Sequence, residues 1–241
     1  MGRLMRNYFT LGGVDSRDYG VYISGQGTFN SPARNIDFLE VPGRNGDLIG
    51  LSTRLENGEY RYNNAFIYTN FHSNIEAFKA FLLSVPGYRR LVDTYHPDEF
   101  RLVAYRGRLE VNPTSKNDAG KFDIIFVCKP QIYLASGETA ITLTADGTIT
   151  NPTAFASKPL LRVYGAGTLS INGIEIAISN ADVYTDIDID SGYCYKGTTS
   201  KNNYVSTPNS LDFPELVSGS NAIVLGDGIS QVDITPRWWK V

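Results

Sequence analysis

Little in this sequence invites catalytic chemistry. Of its 241 residues only two are cysteine, two histidine, two methionine and two tryptophan. Cys128 and Cys194 stand 66 positions apart, which makes neither a disulfide framework nor a metal-ligand spacing. Cys128 ends the run Ile124-Ile125-Phe126-Val127 and so reads as a small buried hydrophobe. That run is also the longest apolar stretch, far short of the roughly 20 residues of a membrane-spanning helix. No basic segment followed by an apolar one opens the chain, so no secretory leader is expected and synthesis in a cytoplasm is. A net charge of −3 argues against a nucleic-acid or anionic-membrane binder.

What is present favours strands. Aromatic residues make up 12%, and 23 glycines and 11 prolines break the chain into short segments. Asn45-Gly46, Asn57-Gly58, Asp146-Gly147, Asn172-Gly173 and Asp227-Gly228 each read as a two-residue hairpin turn. The clearest is Asn172-Gly173. Leu169 and Ile171 alternate with polar residues before it, and Ile174, Ile176 and Ile178 do so after it. Further strands are expected over residues 20–24, 35–41, 48–54, 59–68, 101–111 and 121–128. A single helix is expected. Ser73 and Glu76 form a capping box, Ile75, Phe78, Phe81 and Leu82 share a face, and Pro86-Gly87 stops it.

Charge divides the chain. Residues 1–133 hold 16 basic and 14 acidic side chains, whereas residues 134–241 hold 6 and 11. With a bridge over Lys129–Gly137, this predicts two domains, 1–133 and 134–241. The second shows no helical period, only short strands with turn signals, as in a β-sandwich or jelly roll.

Candidates for catalytic chemistry are few. His72 lies beside the expected helix cap and His96 precedes Pro97 in a turn-like stretch, so both read as local rather than catalytic. Gly165-Ala166-Gly167 is half of a dinucleotide fingerprint, but a hairpin follows where a helix is required. Asp186, Asp188 and Asp190 alternate like the start of a calcium loop, yet Ser191 and Gly197 occupy the positions that need Gly and Glu. A surface strand explains them better, with Ile187 and Ile189 inward and the three aspartates outward. Catalytic residues, metal ligands and cofactors are therefore all expected to be absent. Pro42-Gly43-Arg44-Asn45-Gly46-Asp47 reads as a hairpin tip. Trp238-Trp239 reads as core or interface packing near the end of the chain.

These segments also carry a resemblance. Residues 151–160 lead into Val163-Tyr-Gly-Ala-Gly-Thr-Leu-Ser-Ile-Asn-Gly173, followed by Asp212-Phe-Pro-Glu-Leu216, Ser218-Gly-Ser-Asn221 and Ile234-Thr-Pro-Arg-Trp-Trp239. The series resembles the C-terminal domain of siphophage distal tail proteins. Val41-Pro-Gly-Arg-Asn-Gly-Asp-Leu48 is similar to the hairpin of their first domain. The resemblance spans nearly the whole chain. It implies a mainly β protein, with an N-terminal domain carrying one helix and a protruding hairpin, and a C-terminal galectin-like sandwich of jelly-roll type. It further implies a virion tail-tip or baseplate hub assembled in the host cytoplasm. Such a hub forms a homohexameric ring that joins the tail tube protein to a tail-associated lysin or fibre protein, with DNA passing through the bore. Pro42, Gly43, Arg44, Gly46, Asp47, Trp238 and Trp239 are then the candidate interface and structural residues. No sequence-specific nucleic acid and no membrane is expected as a partner. The second domain, about 108 residues long, leaves no room for an inserted receptor-binding module. The alternative is a carbohydrate-binding module on a galectin-like sandwich, with Trp238 or Trp239 and surface tyrosines as its platform. A glycosidase would need a carboxylate pair, and no spacing singles one out.

Overall fold

A computed structural model describes residues 6–25, 30–50, 54–114, 116–208 and 212–241. It resolves into two compact units, residues 1–132 together with Val241, and residues 133–240. Strands dominate, and Phe71–Leu83 is the one α-helix among the described residues.

The first unit is built on an antiparallel sheet. Its central path runs Val14–Asp15, Phe9–Leu11, Arg89–Asp93, His96–Ala104, Gly120–Leu134, Gly58–Ile67, Val21–Ile23. Gly58–Ile67 buries Tyr60 and Tyr62, then Ala65 and Ile67, so the alternation slips by one residue. The slip is a bulge at Asn64, with φ of 102°, where the register against Phe122 and Asp123 shifts. The helix covers this sheet with Phe71, Ile75, Phe78 and Leu82. Their spacing keeps them on one face, and they join Phe9, Phe122 and Phe126 in a single core.

The helix begins earlier than the capping box predicts. Asn70 precedes the first turn in a left-handed conformation, with φ of 46° and no side-chain cap. Ser73 lies inside the turn, where its hydroxyl donates to the Asn70 carbonyl at 3.1 Å. Phe71 explains the shift, because its ring fills the core and pulls the helix start toward it. The other end is closed by Arg89, whose guanidinium donates to the carbonyls of Phe81 and Leu82 at 3.0 and 2.7 Å. A cation there offsets the negative end of the helix dipole.

The second unit encloses one core between two antiparallel sheets. One runs Ile141–Leu143, Ile229–Thr235, Leu160–Gly165, Tyr184–Asp188, Tyr193–Lys196, Thr199–Ser200. The other runs Gly147–Asn151, Gly219–Leu225, Gly167–Ile171, Ile174–Ile178, Val205–Ser206. Asn172 and Gly173 take φ of 52° and 82° and close the predicted two-residue hairpin. The other four Asn-Gly and Asp-Gly pairs do not. Asp146-Gly147 and Asp227-Gly228 carry the chain from one sheet to the other, and Gly58 opens a strand. The segment over Lys129–Gly137, expected as a bridge, is largely strand. Gly120–Leu134 runs through it as one strand, ending in a 3-10 turn at Ala135–Glu138. Pro130 lies just past the ladder to Gly58–Ile67, which ends with Cys128 opposite Gly58.

Gly165 and Gly167 have a packing cause. A Cβ on Gly165 would overlap the carbonyl oxygen of Gly228, and one on Gly167 would overlap that of Asp227. Two backbone segments meet here with no side chain between them, which accounts for the fragment of dinucleotide motif.

Candidate assembly surfaces

The expected hairpin is present and stands as its own two-stranded sheet. Asp37–Leu39 pairs with Leu48–Gly50, with Phe38 opposite Ile49 and Leu39 opposite Leu48. Below it the ribbon continues through backbone hydrogen bonds from Asn35 to Arg54 and from Glu56 to Ala33. The tip is longer than a two-residue Asn-Gly turn. Arg44 donates to the Val41 carbonyl, with Pro42 and Gly43 between them and Gly43 at φ of 80°, a type II turn. Gly46 takes φ of 81° as the chain re-enters the second strand. Arg44 and Asp47 are exposed.

The ribbon shows its apolar side chains to solvent. Phe38 is 63% exposed, Ile49 61%, Leu39 57% and Leu48 40%. Phe38 and Ile49 share one face of the ribbon and Leu39 and Leu48 the other, and exposed hydrophobes of this kind mark a protein-protein contact. A two-stranded ribbon is also marginal by itself in water.

Trp238 and Trp239 sit differently from one another. Trp238 is 4% exposed and belongs to the core of the second unit. Its carbonyl accepts from the Leu134 N–H at 2.9 Å, and a Cβ on Gly137 would collide with its backbone nitrogen. Trp239 stacks on Phe155 at 4.5 Å between ring centroids, and its indole N–H donates to the Ala156 carbonyl at 2.9 Å. Trp238 therefore offers no face to a sugar, and one face of Trp239 is covered.

The aspartate series is not a uniformly outward row. Asp186 is buried at 4% and accepts from the Arg162 guanidinium through both oxygens, at 2.7 and 2.9 Å. Asp188 accepts from Arg237 at 2.6 and 3.3 Å. The strand stops at Asp188, so Asp190 lies beyond it and is exposed. Burial alone would raise the Asp188 carboxyl, but the bonds and charge of Arg237 hold it below the usual carboxylate range. The arginine partners are over 20 residues distant in sequence and cross-strand or terminal, so no local spacing announces them.

One polar cluster in the first unit was not singled out by any motif. Asp93, 5% exposed, accepts from the hydroxyls of Tyr60 and Tyr62, each at 2.7 Å. Its other oxygen accepts from the Tyr95 and His96 backbone N–H groups and lies 3.2 Å from the His96 ring. Burial, with the Asp93 charge second, pushes both phenols well up. His96 is thus tied to its own turn, and exposed His72 lies edge-on to Phe71. Burial also pushes the Cys194 thiol up to about 11 and raises that of Cys128, which disfavours the nucleophilic thiolate.

No family model and no curated protein sequence matches the chain. Solved structures do. The Dit (gp 19.1) protein of phage SPP1, described as a paradigm of the hub adsorption apparatus in phages infecting Gram-positive hosts, superimposes with a TM-score of 0.69. The match is 13% identical and covers 98% of this chain and 99% of that one. A chain of the phage P2 baseplate in its activated conformation with calcium gives 0.53 at 12% identity, covering 96% and 98%. The same baseplate with strontium gives 0.52 at 11%, covering 95% and 96%. This chain therefore has, along almost its entire length, the mainly β fold found in phage hub and baseplate proteins.

Proposed function

We propose that the chain is a structural, non-catalytic hub of a siphophage tail tip. It forms a homohexameric ring that joins the tail tube to a tail-associated lysin or fibre protein and leaves a bore for DNA. The observation that carries this reading is the end-to-end likeness to the SPP1 hub protein, with neither chain leaving a substantial part unmatched. The exposed ribbon supports it. A ring needs two different patches on each copy, meeting head to tail and closing by rotation. Phe38 with Ile49 on one face, and Leu39 with Leu48 on the other, make the ribbon one apolar contact element, with Pro42, Gly43 and Gly46 shaping its tip. Arg44 and Asp47 at that tip set the register of the contact.

Negative-stain class averages of the purified protein, alone and with an adjacent tail protein, test the reading. Six-fold rings are expected. The double substitution Phe38→Asp and Ile49→Asp is expected to give monomers with an unchanged melting temperature, because both side chains are already exposed. Wild-type protein that stays monomeric in every mixture would refute the ring.

A further inference from the structure

We propose that the cleft beneath Arg101 in the first unit is a binding site for a monoanionic carboxylate. The cleft has a volume of about 450 Å³, and Pro32, Tyr60, Arg101, Cys128, Lys129 and Ile132 are among its lining. Arg101 is only 8% exposed. Its guanidinium stacks over the Tyr60 ring, 4.3 Å from the centroid. Among the described residues it makes neither a hydrogen bond nor an ion pair through that guanidinium.

That is an unusual state for an arginine. Most of a fully charged side chain is withdrawn from bulk water, and a ring face offsets only part of the loss. Buried charges are ordinarily paired, because leaving one unpaired costs several kcal/mol. The nearby anion, Asp93, is occupied by two tyrosine hydroxyls and two backbone N–H groups. Tyr60 stands between them, giving its hydroxyl to Asp93 and its ring to Arg101. The guanidinium is thus fixed in place, with its donors left for something that enters the cleft.

The lining selects the ligand. A planar guanidinium matches a carboxylate fork bidentately. Lys129 adds a second positive charge, and its ammonium lies 5.2 Å from the centre of the Tyr88 ring. Glu59 lines the same cleft with one negative charge. The balance is a single positive charge, which suits one carboxylate better than a phosphate dianion. Pro32 and Ile132 give the carbon chain behind the carboxylate an apolar wall. The carboxylate could arrive on a small molecule or on a glutamate or aspartate of another polypeptide. The chemistry is the same.

The test is a titration of the whole chain with acetate and, separately, with a blocked tripeptide carrying one glutamate. Chloride holds the ionic strength constant, and tyrosine fluorescence and the melting temperature are followed. Saturable binding of at least one probe and a rise in melting temperature are expected. Arg101→Met is expected to weaken binding about tenfold or more, as loss of a charge-assisted bidentate contact does. Tighter binding of the peptide marks a polypeptide source, and equal affinities mark a free carboxylate. Should Arg101→Met fail to fold, Lys129→Gln carries the test, with weakening of about threefold or more expected. Chloride acting as strongly as acetate, or binding unchanged in both variants, would overturn the proposal.

Discussion

At the scale of single residues, pairing matters more than residue type. The three alternating aspartates look equivalent along the sequence, yet one is buried against Arg162, one is clasped by Arg237 and one is exposed. Asp188 gives a test of sign. Its folded pKa lies below the unfolded value of about 3.9. The stabilisation from the pair is therefore present above pH ~4 and is lost as pH falls through the lower folded pKa. Arg237→Met should lower stability at neutral pH and flatten the fall between about pH 4 and 2. Urea midpoints across that range measure it, and an equally steep fall in the variant would reject the clasp. The alternation of Ile187 and Ile189 was legible in sequence, because strand period is a local property. The arginine partners were not, since Asp186 meets Arg162 only after two strands have found their register.

At the scale of elements, the helix shows what local patterns can and cannot locate. Ile75, Phe78 and Leu82 fall at helical spacing and are buried as that spacing predicts, and the helix runs to Leu83, just short of Pro86-Gly87. The capping box misplaces its start, because that box is a weak signal beside the buried Phe71. Nothing in the pattern hints that Arg89, six residues past the helix, holds its last carbonyls. The consequence is measurable. Ser73→Ala should change stability by less than about 0.5 kcal/mol, the usual range for an exposed position without a cap. Arg89→Met should cost about 2–3 kcal/mol, as the loss of buried bonds from a charged donor does. Equal effects in chemical denaturation would mean that the helix is held at its start after all. The ribbon was legible for a related reason. Pro42-Gly43 encodes its turn chemistry directly. Its solvent-facing hydrophobes cannot be told from core positions by pattern alone, since both read as strand.

At the scale of the whole molecule, the two units differ in charge. The shift from a slightly basic first half to an acidic second half placed a boundary near residue 133, close to where the chain divides into compact units. The sequence could not show that the boundary falls inside a strand, because Lys129 to Leu134 lacks any turn other than Pro130. Residues 133–240 contain their own core, from Ile149 and Leu161 through Val232 and Ile234 to Trp238. The closing contacts of that core lie within the same unit. Ser157 donates to the Pro236 carbonyl at 2.7 Å, the Arg237 N–H to Gly137 at 2.8 Å, and the Trp239 indole to Ala156. We therefore expect residues 133–241, expressed alone, to melt in one cooperative transition. Within that fragment Trp238→Ala should cost about 3–5 kcal/mol, the range for truncating a buried large aromatic ring. Trp239→Ala should cost less, because its ring is only partly buried and the stack on Phe155 contributes about 0.5–1.5 kcal/mol beyond burial. If the fragment shows no cooperative melt, the division at residue 133 is not one of folding units. If it melts cooperatively but Trp238→Ala leaves the midpoint unchanged, the C-terminal segment does not close the core as these contacts require.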